Sequence, residues 1–442
     1  MQKILLLIAS LFYFNFILAE NEIKSWQGIH ETPLSRLEQQ FAEPPVEFAN
    51  HVIWGWEGKM DKKTICNDLD SIKKKGFRAV IFEAGYKLPF KYLSEEWFKA
   101  IRTGVLEAKK RGMKVWIIDE GKYPSGFAGG KFSQERPDLR MQALVIGDTI
   151  QIKRGEVMTN HKIAPEIISA VAVSTSGAPN RTVAINNGEI SFNAGLDDWK
   201  ILLVKSDFRT AVTRAVNNPN GGKDATNSLC DYLNPVAVQQ FIDWTHEQYK
   251  KYLGKELGTT VLGFRGDEPD YAHLPWTPSI VQTFKDTKGY DPTPYLASFF
   301  TTSPTIQEQR VKADYWDVWS SLFATHFFKL QADWCAANGV AHITHLNKEH
   351  EMPACVKAEG DYFRNLSKVQ IPGVDAIWNQ IWPGTLNDFP KLASSVAHVY
   401  GKPRAFSESF AAYHISPTIP QAKFVVDLSL IHISEPTRRS YI

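Results

Sequence analysis

From His51 onward, short apolar runs alternate with longer stretches whose apolar positions recur at helical spacing. Residues 51–56 read as a first strand. Residues 61–75 carry Ile65, Leu69 and Ile72 on one helical face and close at Gly76. Residues 77–82 form the next run, ending in Glu83. Ser94 caps a helix with Glu95 and Glu96 in its first turn, where the positive end of the helix dipole favours them. Trp97, Ile101, Val105 and Ala108 face inward until Gly112 ends that helix, and residues 113–118 follow as a third strand. Asn234 and Pro235 restart a helix as cap and first residue, leading into a fourth strand over 260–264. An aromatic-rich helix over 306–338 precedes strands at 340–344, 374–378 and 404–407. Such alternation builds parallel, right-handed units. The expected fold class is α/β, a (β/α)8 TIM barrel with seven strands recognisable and its last strand apparently missing. A small β-rich insertion follows the third strand, over residues 136–225, where short alternating runs are separated by turns such as Asn186-Asn187-Gly188.

The termini read differently. Lys3, an apolar run over 4–18 and Ala19 have the layout of a secretory signal peptide over residues 1–19, so a secreted or periplasmic location is expected. A lead-in over 20–50 comes before the first part of the barrel (51–135), the insertion (136–225) and the rest of the barrel (226–427). Residues 428–442 resemble a translated sequencing adapter, which makes the natural chain a truncated one and sets this tail outside the fold. The four cysteines (Cys66, Cys230, Cys335, Cys355) have no paired spacing, so neither a disulfide nor a zinc site is expected.

Composition narrows the function. Of 442 residues, 43% are apolar and 12% aromatic, ample for a large core, and acids and bases nearly balance at a net charge of +2. No basic run is longer than three residues, Lys73 to Lys75 being one, which speaks against nucleic acid. No stable membrane span is expected once the signal is cleaved.

Chemistry concentrates at strand ends. The run over 260–264 breaks into Arg265, Gly266, Asp267, Glu268, Pro269 and Asp270, and such charge directly after a buried strand must be paired or working. Barrel enzymes keep their chemistry at this end of the strands. Glu408 follows the seventh strand. Two facing carboxylates, one protonated and one ionised, are what glycosidic bond cleavage requires. Trp54, Trp56, Tyr123, Trp378 and Trp382 offer flat faces for sugar rings, although each taken singly also suits core packing. Asp119, Glu120, Arg265, Asp267, His345 and Asp375 are candidates for holding hydroxyls or a cation. His345 with Glu349 is a weak metal-ligand pair.

These residues sit among motifs that resemble glycoside hydrolase family 106, the α-L-rhamnosidase family, over residues 51–413. The resemblance rests on Trp54-Gly55-Trp56, Leu93-Ser94-Glu95-Glu96-Trp97, Tyr123-Pro124-Ser125-Gly126, Trp276-Thr277-Pro278, Gly289-Tyr290-Asp291, Trp334-Cys335, and Tyr400-Gly401-Lys402-Pro403 before Ser407-Glu408-Ser409-Phe410. It implies a general acid within residues 267–270, a general base at Glu408, inversion at the anomeric carbon, Ca2+ near the sugar, and an oligo- or polysaccharide substrate. Glu268 is the expected acid and Asp270 the alternative. A retaining glycosidase on the same barrel, or a non-catalytic sugar-binding relic, would share these features.

Overall fold

The computed structural model describes residues 33–46, 50–210, 214–215, 228–271, 274–377, 380–381, 384, 387–411 and 417–429. The signal-peptide reading over 1–19 lies outside the described residues, as do Trp378, Trp382 and most of the 428–442 tail. Seven strands form one sheet in chain order: β1 (His51–Trp56), β2 (Ala79–Ala84), β3 (Lys114–Ile118), β4 (Val261–Asp267), β5 (Ala341–His345), β6 (Ile371–Ala376) and β7 (Phe406–Ser409). Every neighbouring pair is parallel. β1 and β7 are the sheet's edges among the described residues.

Local chemistry sets the helices between these strands. The Asp61 carboxylate accepts from Thr64 N at 2.9 Å to start Lys62–Lys74, and Ser94 Oγ accepts from Trp97 N at 3.3 Å to start Glu95–Lys110. Asn234 Oδ1 accepts from Val236 N to start Pro235–Trp244, and a Thr305/Glu308 capping box starts Ile306–Phe323. The aromatic stretch is not one continuous helix. Residues Ala324–Phe328 widen into a π turn before Lys329–Ala337 resumes. Tyr315, Trp319, Phe323 and Phe327 are all core residues.

Both faces of the sheet are covered. Toward the helices, Trp56, Phe82, Val115, Ile117 and Phe264 pack with Trp97, Ile101, Val105 and Tyr249. On the opposite face Ile81, Trp116, Ile118, Ile343, Ile371 and the partly buried Phe406 form one cluster. That cluster unites residues of β2 with residues of β6 and β7, which a flat sheet would hold roughly 20 Å apart. The sheet is therefore curled, and its concave face is filled by side chains. Full burial on two faces explains the nearly unbroken apolar runs.

The β-rich region after β3 is built from Gln142–Ile152, Trp199–Phe208, Ile167–Ser174 and Arg181–Thr182 in one antiparallel sheet, with Val157–Lys162, Glu189–Asn193 and Ile185–Asn186 in a second. One strand of the first sheet comes from elsewhere in the chain. Pro275–Trp276, just after β4, pairs with Gln142 and Ala143 at that sheet's edge. The helix Ile419–Ser429 follows β7, and its Val425 and Leu428 pack on Val374, Ala376 and Phe389. Leu428 and Ser429, set outside the fold on sequence grounds, thus belong to a packed helix.

Gly263 is where β4 lies tightest against its neighbours. A Cβ there would sit 1.9 Å from the Ala341 carbonyl oxygen and 2.7 Å from the Trp116 ring. Gly263→Ala should part β4 from β5 and cost about 3 kcal/mol or more. A denaturant-unfolding midpoint equal to that of the parent chain would contradict this packing.

Candidate active site

At the C-terminal end of β4 the Arg265 side chain turns onto the concave face and is 2% exposed. A buried guanidinium needs anions, and three strands supply its surroundings. Nη2 donates to Glu408 Oε2 on β7 and lies 3.6 Å from Asp267 Oδ1. It also lies 2.8 Å from His345 Nε2 on β5, so ring and guanidinium converge on the same carboxylates. His345 Nδ1 donates to the Leu346 carbonyl at 3.0 Å, while Nε2 is 3.1 Å from Glu408 Oε2 and 3.4 Å from Asp267 Oδ1. Burial alone would keep the ring neutral, but hydrogen bonds to Asp267 and Glu408 outweigh it and raise the imidazole pKa well above its ordinary value. Burial works against the Glu408 carboxylate in the same way, yet Arg265 and His345 pull its pKa down to about 2. Glu408 is therefore ionised.

The other side of His345 is acidic. Glu268 follows β4 directly, with a left-handed φ of +40° that is uncommon for a residue with a side chain. Its carboxyl, one Asp375 oxygen and one His345 nitrogen all lie within 4.8 Å of one another. Burial, opposed by His345 but reinforced by Asp267, lifts Glu268 to about 7. Burial and the neighbouring carboxylates of Glu408, Glu268 and Glu349 push Asp375 up to about 10, His345 again opposing. Glu349 is lifted to about 8, chiefly by burial, and Glu359 is raised well above its usual range by burial and by Asp270. Glu349 Oε1 accepts from the backbone N–H groups of Leu346 and Asp375, and Glu359 Oε1 from Asn347 N. The buried oxygens Glu349 Oε2, Glu359 Oε2 and Asp375 Oδ1 have no hydrogen-bond partner. Unpartnered carboxylate oxygens of this kind are donors that a hard divalent cation accepts.

The structure gathers Arg265, Asp267, Glu268, His345, Asp375 and Glu408, and sends other candidates elsewhere. Trp56 is fully buried on the helix side, its ring 5.8 Å from that of Trp97, and Trp54 packs edge-on to Phe82 on the same side. Alternate residues of a strand face opposite ways, so neither tryptophan is a sugar platform here. Glu120 is also removed from the site. Its carboxylate accepts from the N–H groups of Gly121, Phe127, Ala128 and Gly129 at 2.6–2.8 Å, ordering the loop after β3. Asp119 is buried behind the site, where its Oδ1 accepts from Ser125 Oγ at 2.6 Å, and Ser125 Oγ in turn accepts from Asp267 N. Tyr123 stays at the rim, its hydroxyl accepting from Asn347 Nδ2 at 3.0 Å. Asp270 is half-buried, close enough to raise the pKa of Tyr123.

Two residues were missed as site members. Ser125 gave no charge signal. Glu359 gave one that was not used: it ends the helix Met352–Glu359, where the dipole disfavours a carboxylate.

Residues 162–431 match glycoside hydrolase family 106, described as alpha-L-rhamnosidase. A curated protein of Formosa agariphila that carries the provisional name beta-glucuronidase is 24% identical over 432 residues, covering 85% of this chain and 35% of its own length. The solved structure of a rhamnosidase from Novosphingobium sp. PP1Y superposes with a TM-score of 0.65 at 16% identity, covering 91% of this chain and 55% of that one. The chain thus spans about a third of the first protein and about half of the second, and the second likeness shows the fold.

The acidic wall makes stability depend on pH. Glu268, Glu349 and Asp375 have folded pKa values of about 7, 8 and 10, all above their ordinary ones. The folded chain therefore holds more protons than the unfolded chain above roughly pH 5, and stability falls as pH rises through these values. Glu408 acts in the opposite sense, but its contribution is lost only as pH falls toward about 2. In chelator, the unfolding midpoint should drop between about pH 5 and pH 8. Replacing Glu349 and Asp375 with Gln and Asn should flatten the decline, and a flat profile in the parent chain would contradict the raised values.

Proposed function

Because the chain belongs to glycoside hydrolase family 106, the alpha-L-rhamnosidase family, we propose that it is an exo-acting, inverting α-L-rhamnosidase acting on an oligo- or polysaccharide outside the cytoplasm. One observation carries the reading. Two strand-end carboxyls on the same concave face are held in opposite protonation states, Glu268 near 7 and Glu408 near 2. This is the division of labour that glycoside cleavage demands. Glu268 protonates the leaving glycosidic oxygen. Glu408 takes a proton from the attacking water, which adds to the anomeric carbon on the face opposite the departing group. Arg265 and His345 hold Glu408 ionised, and Asp375 shares the Glu268 proton. Asp270, beyond Pro269, is the alternative acid. The acidic wall of Glu349, Glu359 and Asp375, with its unpartnered oxygens, would hold Ca2+, which would neutralise these acids and offer coordination to sugar hydroxyls when bound. A cation between Asp267 and Glu408 does not fit, because Arg265 already fills that place. The leader-like start of the sequence is consistent with export.

Glu268→Gln and Glu408→Gln should each lower the release of an aryl α-L-rhamnoside by about a hundredfold or more while leaving folding intact. Glu268→Gln should recover on substrates whose leaving group needs no protonation, and Glu408→Gln should not. The parent profile should be broad on the acid side and fall above about pH 7 as Glu268 ionises. Full activity in Glu268→Gln would move the acid to Asp270. Release from an aryl β-glucuronide and not from the rhamnoside would overturn the sugar assignment, and a product of retained configuration would overturn inversion. Sugar binding with no hydrolysis of any glycoside would leave only the binding relic.

A further inference from the structure

Behind the sheet, on the face away from the candidate active site, three metal-binding side chains meet. His246 opens the helix His246–Leu253, Cys335 lies in Lys329–Ala337, and His342 projects from β5 toward the helices. All three are fully buried, and one donor atom from each lies within 4.8 Å of the other two. Two of the buried nitrogens, His246 Nε2 and His342 Nδ1, have no hydrogen-bond partner. Buried polar atoms seldom go unpaired, and such exceptions need a cause.

The tautomer of His246 sharpens this. The Thr245 hydroxyl donates to the Phe241 carbonyl at 2.7 Å, so its oxygen accepts the hydrogen bond from His246 Nδ1 at 2.9 Å. The proton is therefore on Nδ1, and Nε2 carries a bare lone pair pointing into the core. An oxygen that fixes the ring from behind, with its free nitrogen presented, is the usual support of a metal-ligating histidine. Burial also keeps both rings neutral, His342 down at about 3 and His246 well below its ordinary value.

We infer that His246, Cys335 and His342 form a structural site for a divalent, nitrogen- and sulfur-loving cation of the Zn2+ class. Two imidazoles and a thiolate suit that class, and Ca2+, which takes oxygen, is excluded. Bond lengths of about 2.0–2.3 Å would draw the donors together to roughly 3.5 Å. As the metal–sulfur bond forms, the Cys335 thiol proton leaves to solvent. Asp119 lies near enough to raise the pKa of Cys335 and holds an unpartnered Oδ2, and burial keeps its own carboxyl protonated while the ion is absent. Bound there, the ion would fasten two helices to β5 only three residues before His345.

The test uses the 442-residue chain, stripped by chelator and offered Zn2+ with Ca2+ in excess. Elemental analysis after desalting should find about one zinc per chain, and Co2+ in its place should give an intense sulfur-to-cobalt charge-transfer band. Cys335→Ser should lose the zinc and Cys355→Ser should keep it. Zinc at background in the parent chain, or Cys335→Ser retaining as much as the parent, would overturn the site. Should Cys335→Ser fail to fold, the cobalt spectrum of the parent decides: its band supports the site, and bound cobalt without the band refutes it.

Discussion

A buried guanidinium governs the concave face of this protein. Arg265 sits on the middle strand of the sheet with almost no exposure to water, so its charge must be met by protein groups or not carried at all. Glu408 and Asp267 meet it. The curl of the sheet follows from the same contact, because β4 and β7 are three places apart in the strand order and touch only if the sheet bends. Protonation follows too. The Glu408 carboxylate next to Arg265 is ionised and Asp267 is drawn into a hydrogen bond with His345, whereas at Asp375, beyond His345, burial and neighbouring carboxylates win and push the pKa the other way. Two positive charges, Arg265 and His345, placed off-centre, sort the acids of the site into two kinds.

Much of this was legible in the sequence. Strand positions were readable because burial on two faces demands unbroken apolar runs, and a break into Arg265-Gly266-Asp267-Glu268 marks where the strand meets its site. The caps at Asp61, Ser94 and Asn234 announced their helices by chemistry that acts within three residues. Facing was harder to read. Trp54 and Trp56 lie at a strand end like Glu408 does, and only the parity of β1 in the sheet, which depends on its register with β2, shows that they point to the helices. Glu120 looked like a site acid because it stands at a strand end, yet its work is to receive four backbone N–H groups of its own loop. Such a demand is set by loop conformation, which residue type alone does not disclose.

Contacts between distant segments were the least legible. Glu359, Ser125 and the trio His246, Cys335 and His342 are each assembled from elements far apart in the chain, and no spacing pattern joins them. Cys335 taken alone is a small apolar residue on a buried helix face, and only the arrival of two histidine rings changes its chemistry.

The strand Pro275–Trp276 bears on modularity. The β-rich region looks, in linear sequence, like a cassette that could be excised or exchanged between relatives at its two ends. It is not independent. The segment carrying Glu268 runs from β4 straight into a strand of that region's own sheet, so removing the cassette would release the far anchor of the proposed acid. Recombination between family members would therefore have to exchange the loop after β4 together with the insertion after β3, as one inherited unit drawn from two separate places in the gene.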